Sequence, residues 1–66
     1  MKITAELQGR KHRLELRAKA KAIDAVKKLG VNPETVLVKR KKEIITDDET
    51  LENNDELEII KIVSGG

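Results

Sequence analysis

The residues with the clearest chemical potential stand together at the end of the sequence, where Ile62-Val63-Ser64 is followed by Gly65-Gly66 and an α-carboxylate. Glycine has no Cβ, so two in succession can enter a narrow channel and adopt backbone angles closed to other residues. Three extended residues, Ser64, Gly65 and Gly66, reach roughly 10 Å beyond whatever precedes them. This terminus is expected to be the working part of the chain. Elsewhere the means for catalysis are sparse. There is no cysteine, which excludes disulfides, thiolate zinc sites and a cysteine nucleophile, and His12 is the single histidine, embedded in a basic run. A metal site would have to be built from carboxylates alone, and no constellation of titratable residues points to an enzyme.

At 66 residues the chain is one domain, near the lower size for a single core without a staple. No stretch is apolar for long enough to span a membrane, and Met1-Lys2-Ile3-Thr4 lacks the apolar region of a secretory signal, so a soluble cytoplasmic monomer is expected. Without Phe, Trp or Tyr, the core must be aliphatic. Charged residues make up 39% of the chain, in a Lys- and Glu-rich style that invites surface ion pairs.

The net charge of +2 hides an asymmetry: residues 1–42 hold 13 basic and 4 acidic side chains, whereas residues 43–66 hold 8 acidic side chains and one basic, Lys61. Two basic clusters, Arg10-Lys11-His12-Arg13 and Lys39-Arg40-Lys41-Lys42, have the composition of a nucleic-acid patch. Against that reading, the acidic part offsets them and no aromatic ring is available to stack on a base.

The elements that must position the terminus follow from periodicity. Residues 1–7 alternate, with Ile3, Ala5 and Leu7 on one side and Lys2, Thr4 and Glu6 on the other. After a turn at Gln8-Gly9-Arg10-Lys11, Leu14 and Leu16 face inward, which makes a β-hairpin. From 18 to 29 the period becomes helical: Ala22, Ile23, Val26 and Leu29 share a face, and Asp24 precedes Lys28 by four. The helix end is well signalled, because Lys27 and Lys28 suit the negative pole, Gly30 can take the left-handed position, and Val31 can fold back onto Val26 in a Schellman arrangement. Its start has no Ser, Thr, Asp or Asn cap.

Asn32-Pro33 begins a loop. Residues 35–40 read as a strand with Val36 and Val38 inward and Leu37 outward, Lys41-Lys42 as a turn, 43–46 as a short strand, and 47–55 as an acidic loop anchored by Leu51 in the core. The last strand is 57–63. There, alternation from Leu57 and Ile59 leaves Ile60 and Ile62 on the face away from the helix, and with Leu37 they form an apolar docking patch. The helix must cover one sheet face, since a helix stripe and a sheet face each need a partner.

The run Asp55-Glu56-Leu57-Glu58-Ile59-Ile60-Lys61-Ile62-Val63-Ser64-Gly65-Gly66 resembles the C-terminal signature of ThiS- and MoaD-type sulfur carrier proteins, an Asp before an aliphatic strand closing in a small residue and Gly-Gly. Leu29-Gly30-Val31-Asn32-Pro33-Glu34-Thr35-Val36 with Val38 is similar to the family's helix exit and third strand, and the order of elements agrees over the whole chain. Asn54 stands where many members have Gly before the Asp, Lys41-Lys42 replaces a frequent Asn-Gly, and the helix lacks the frequent Ser or Thr at its start.

The resemblance implies an α+β fold of the ubiquitin-like β-grasp type: a mixed sheet of four to five strands covered on one face by one main helix, with 1–63 as the domain and 64–66 as a flexible tail. It also implies a carrier, not an enzyme. A ubiquitin-activating-type adenylating enzyme would adenylate the Gly66 carboxylate, and sulfur delivery would give a thiocarboxylate for a sulfur-accepting synthase or thiolation enzyme in thiamine, molybdopterin or tRNA thiolation pathways. Acyl-adenylate and thiocarboxylate are then transient modifications, with no cofactor bound. Ser64 and Gly65 supply clearance, while Ile60, Ile62 and Leu37 bind the partner. Two alternatives stay open: a ubiquitin-like modifier conjugated to lysines through Gly66, and a small RNA-binding β-grasp or S4-like module.

Overall fold

In the computed structural model, which describes residues 1–62, the first two alternating runs form a hairpin, β1 (Lys2–Leu7) and β2 (Arg10–Glu15). The turn is only Gln8-Gly9, shorter than the four residues expected, and both residues have positive φ (52° and 80°). That is the geometry whose twist matches flanking strands. The helix α1 spans Ala22–Lys28 and a 3-10 turn Pro33–Thr35 follows; β3 (Val36–Arg40), β4 (Glu43–Ile45) and β5 (Glu56–Lys61) complete the chain. The strands form one mixed sheet in the order β2-β1-β5-β3-β4. The last strand in sequence is therefore central in space, parallel to β1 and antiparallel to β3. Of the sequence-based expectations, Val63 and the 64–66 tail lie outside the described residues.

The expected helix over 18–29 starts four residues late. Lys19 takes a left-handed φ of 66°, which no helix accommodates, and Ala20 is buried in an extended segment. Lys21 bridges Thr50, and the Leu51 amide donates to Ala20 O at 2.8 Å. The first amides of α1 are then satisfied from outside the helix. Ala22 N–H donates to Glu49 O (2.9 Å) and Ile23 N–H to Asp47 O (3.0 Å), while the Asp24 carboxylate accepts from Lys21 N–H (2.8 Å). The acidic loop is the cap, so no capping side chain is needed at Lys21. The helix end is as expected. Gly30 has φ 78°, its amide donates to Lys27 O (3.0 Å), and Val31 N–H reaches Val26 O (3.3 Å), the paired bonds of a Schellman ending.

The core lies between α1 and one face of the sheet. Ala22, Ala25 and Val26 of the helix meet Ile3, Ala5, Val36, Val38, Leu57 and Ile59, and Leu51 plugs the loop side, all buried. Two alanines at the contact let the helix sit close to the strands, which suits a core without rings.

Two turns show how backbone and sequence disagree. Asn54 has φ 70°, a conformation that Asn tolerates in place of Gly. Lys41 and Lys42 both have positive φ (52° and 68°) in the two-residue turn joining β3 to β4, where Asn-Gly would be at ease. A left-handed non-glycine costs roughly 1–2 kcal/mol. Lys41→Asn with Lys42→Gly should therefore raise stability by about 1 kcal/mol, or roughly 4–8 °C in Tm for a domain of this size. Thermal unfolding by circular dichroism checks it, and an unchanged or lower Tm would show that the turn is unstrained.

Alternation in β5 generates a second expectation. Ile59 is 3% exposed in the core, whereas its neighbour Ile60 is half-buried on the opposite face against its cross-strand partner Leu37. Ile59→Ala should cost about 2–5 kcal/mol through a core cavity. Ile60→Ala loses one cross-strand pair, about 0.2–1 kcal/mol. Urea titration of both variants separates the two, and equal losses would place Ile60 in the core.

Candidate functional site

The open face of the sheet is built from outward residues of all five strands. Lys11 pairs across to Glu6, Glu6 to Glu58, Glu58 to Lys39 and Lys39 to Ile44, one row spanning the sheet from β2 to β4. The middle of the row is acidic and its flanks are basic. One row toward the end of β5, Leu37 and Ile60 are direct partners. The Ile62 amide donates to Thr35 O (2.9 Å), carrying the β3–β5 ladder one step past the strand, and Ile62 is 43% exposed. Register runs unbroken along β5, so no bulge turns Ile60 inward.

Leu37, Ile60 and Ile62, the residues expected to form a patch, are thus brought together on the uncovered face. They lie where the chain leaves the sheet toward Ser64, Gly65 and Gly66, and those three lie outside the described residues. One apolar residue of this face was missed by sequence reasoning: Ile44, the most exposed large hydrophobic residue among those described, at 62%. A signal existed. In the three-residue strand Glu43-Ile44-Ile45, alternation can send only one isoleucine to the core, and Ile45 is the one against it.

The basic run Lys39-Arg40-Lys41-Lys42 is not a continuous patch. Lys39 faces the open side, whereas Arg40 points to the other and clamps the acidic loop, donating from Nη2 to Glu49 Oε1 (3.0 Å) and from Nη1 to Thr50 O (3.2 Å) and Asp55 Oδ2 (3.4 Å). The contacts to Glu49 and Asp55 are the only two ion pairs among the described residues, fewer than the charge content invites. Asp55 also accepts from Glu52 N–H (2.8 Å), and its carbonyl receives Thr4 N–H (2.9 Å), which ties the loop to β1. In the same loop the Thr46 hydroxyl (2.6 Å), and then the backbone amide of Asp48 itself, hold the exposed Asp48 carboxyl below its ordinary value. Among the described residues no cluster of His, Asp and Glu is placed to hold a metal, and no helix is long and apolar enough to cross a membrane.

Comparison with known proteins agrees with this architecture. Caldiarchaeum subterraneum ubiquitin superposes with a TM-score of 0.78 at 23% identity, covering 100% of this chain and 98% of that one. SAMP1 from Haloferax volcanii gives 0.78 at 22% identity and covers 100% of both. Both likenesses establish a ubiquitin-like β-grasp fold. In sequence, the sulfur carrier protein TtuB of Thermus thermophilus is 32% identical over 66 residues, 100% of each chain. The model of the ThiS family matches residues 1–66, Gly65 and Gly66 included. On that match, together with the identity to a sulfur carrier along its whole length, the chain belongs to the ThiS family of sulfur carrier proteins, which are carriers and not enzymes.

Proposed function

We propose that Gly66 is the group-carrying position, through an α-carboxylate. Its carboxylate oxygen attacks the α-phosphorus of ATP in the active site of a ubiquitin-activating-type adenylating enzyme; the bond to the bridging oxygen breaks and pyrophosphate leaves. A sulfide-level nucleophile then attacks the acyl carbon, AMP departs, and Gly66 ends as a thiocarboxylate for a sulfur-accepting synthase or thiolation enzyme. The observation that carries this reading is the family match running through Gly66. The division of labour in the fold supports it. The carrier supplies reach and docking, while acid, base and metal chemistry belong to the partner. Ser64 and Gly65 give clearance, and Leu37, Ile60 and Ile62 form the patch that seats the body beside the entrance.

Incubated with the adenylating enzyme, ATP and a sulfur source, the protein should gain the mass difference between one sulfur and one oxygen, located on the C-terminal residue by fragmentation mass spectrometry. Deleting Gly66 withdraws the carboxylate by roughly 3.5 Å. Even about 1 Å of misplacement can cost a hundredfold in rate, so ATP–pyrophosphate exchange should fall at least that far with no change in Tm. An intact protein that never acquires AMP or sulfur sinks the carrier reading, and a ladder of conjugates on a denaturing gel moves it to a protein modifier.

The patch has its own measurement. Ile60→Glu should raise KM for the carrier in the exchange assay about tenfold or more, since a buried charge at an interface centre is poorly tolerated. An unchanged KM would remove Leu37, Ile60 and Ile62 from the interface.

A further inference from the structure

The sheet ends in two edge strands, β2 and β4, and register decides what each presents to a neighbour. In β3, backbone bonds to β5 alternate with bonds to β4. Ile62 N–H donates to Thr35 O, so Thr35, Leu37 and Lys39 turn their backbone groups to β5, whereas Val38 and Arg40 turn theirs to Ile45 and Glu43. Ile44, opposite Lys39, is left with its amide and carbonyl pointing away from the sheet. The same residue carries the most exposed large apolar side chain among those described, at 62%. The other edge is guarded. Its bonded pairs with β1 are Leu16 with Met1, Leu14 with Ile3, His12 with Ala5 and Arg10 with Leu7, so the outward residues are Lys11, Arg13 and Glu15, all charged.

The charges around β4 stand at its two ends and differ in sign. Lys41 and Lys42 precede the strand, Asp47 and Asp48 follow it, and all four are exposed. Each has opposite charge from its own chain in the vicinity: Lys41 and Lys42 share a groove with Glu6, Glu56 and Glu58, Lys41 another with Glu43, Glu52 and Asp55, and Lys21 attracts the Asp48 carboxylate. Among the described residues none of the four is in an ion pair. The order of signs along the strand therefore selects a neighbour, not a surplus of either sign.

We infer that β4 is a self-association edge, pairing antiparallel with β4 of a second copy about a two-fold axis at Ile44. The two Ile44 residues then exchange both of their outward backbone bonds, and their side chains meet on one face of a sheet continuous across both copies. Antiparallel pairing brings the Lys41-Lys42 turn of each copy to the Asp47-Asp48 segment of the other, while parallel pairing would set lysine against lysine. Pairing of β4 with β2 of another copy would give Ile44 no apolar contact among Lys11, Arg13 and Glu15, and it would leave an edge open at each end, so it would not close. A strand of three residues makes a contact far below the roughly 1,200 Å² of a stable complex, which makes the dimer weak and reversible. β4 runs in the same direction as β5, so its reversal in the second copy sends the two β5 ends to opposite sides of the joined sheet. The inference does not rest on the proposed carrier function.

Sedimentation equilibrium of the full chain from about 10 μM to about 1 mM spans the range of so small a contact. The wild type should pass from monomer to dimer and no further. By nuclear magnetic resonance its Ile44 amide should exchange more slowly with solvent as concentration rises, while the amides of Lys11, Arg13 and Glu15 stay unchanged. Ile44→Glu sets a carboxylate against its own copy and should remain monomeric. Lys41→Glu with Lys42→Glu, and separately Asp47→Lys with Asp48→Lys, oppose like charges at both ends of the contact; each double variant should stay monomeric with an unaltered circular dichroism spectrum. Mixed in equal amounts, these two should dimerise again, because both ends then join opposite signs, and a loss of fold could not produce that recovery. A wild type that is monomeric at about 1 mM, a dimer that survives Ile44→Glu, growth beyond a dimer, or folded charge variants that do not recover on mixing would each overturn the two-fold edge.

Discussion

The structure depends on one set of backbone hydrogen bonds: the first amides of α1 donate to the carbonyls of Glu49 and Asp47. A seven-residue helix is too short to be stable alone, and its unpaired amides would be costly at a protein surface closed by a loop. The loop 47–55 supplies the acceptors and inserts Leu51 into the core, and Arg40 fastens it from β3 through Glu49, Thr50 and Asp55. The same loop hands the chain to β5. Asp55 bonds to β1 through Thr4, so the start of the central strand is fixed by the device that caps the helix. Loosening the loop would free both the helix and the central strand.

That arrangement explains what the sequence disclosed and what it withheld. Hairpin, third strand and last strand were legible because their apolar residues alternate with period two, and each lies on the face that alternation assigns: Ile3, Ala5, Val36, Val38, Leu57 and Ile59 toward the helix, Leu37 and Ile60 away from it. The helix end was legible because Gly30 and Val31 carry a local code. The helix start was not. Its cap consists of carbonyls about twenty-five residues away, and every residue has a carbonyl, so no side chain announces it. Ala20 and Lys21 fit a helix by periodicity, and only pairing with residues 50 and 51 draws them into an extended path.

Arg40 was hidden for a related reason. In Lys39-Arg40-Lys41-Lys42 all four residues look alike by charge, yet strand alternation places neighbours on opposite faces, and the guanidinium of Arg40 can serve three acceptors at once. The run is one cluster in sequence and is divided in space, with Arg40 a structural clamp on the covered side and Lys39 opposite Glu58 on the open one. Ser64, Gly65 and Gly66 were legible only as chemistry, from the absence of side chains and from the family pattern, since the fold around them lies outside the described residues.

A carrier of this kind has to satisfy two requirements with few residues, a core that holds and a surface that is recognised, and β5 meets both by alternation. Leu57 and Ile59 are buried under the helix while Ile60 and Ile62 stand on the other side of the same backbone. Because β5 is bonded to β1 on one edge and to β3 on the other, its outward row is held by two ladders and cannot shift without breaking the core register. A preordered row loses little conformational freedom on docking, which leaves more of its burial available as affinity. The position of the last strand at the centre of the sheet is thus what lets so small and aliphatic a domain hold a rigid apolar row on its open face, as the proposed carrier function requires.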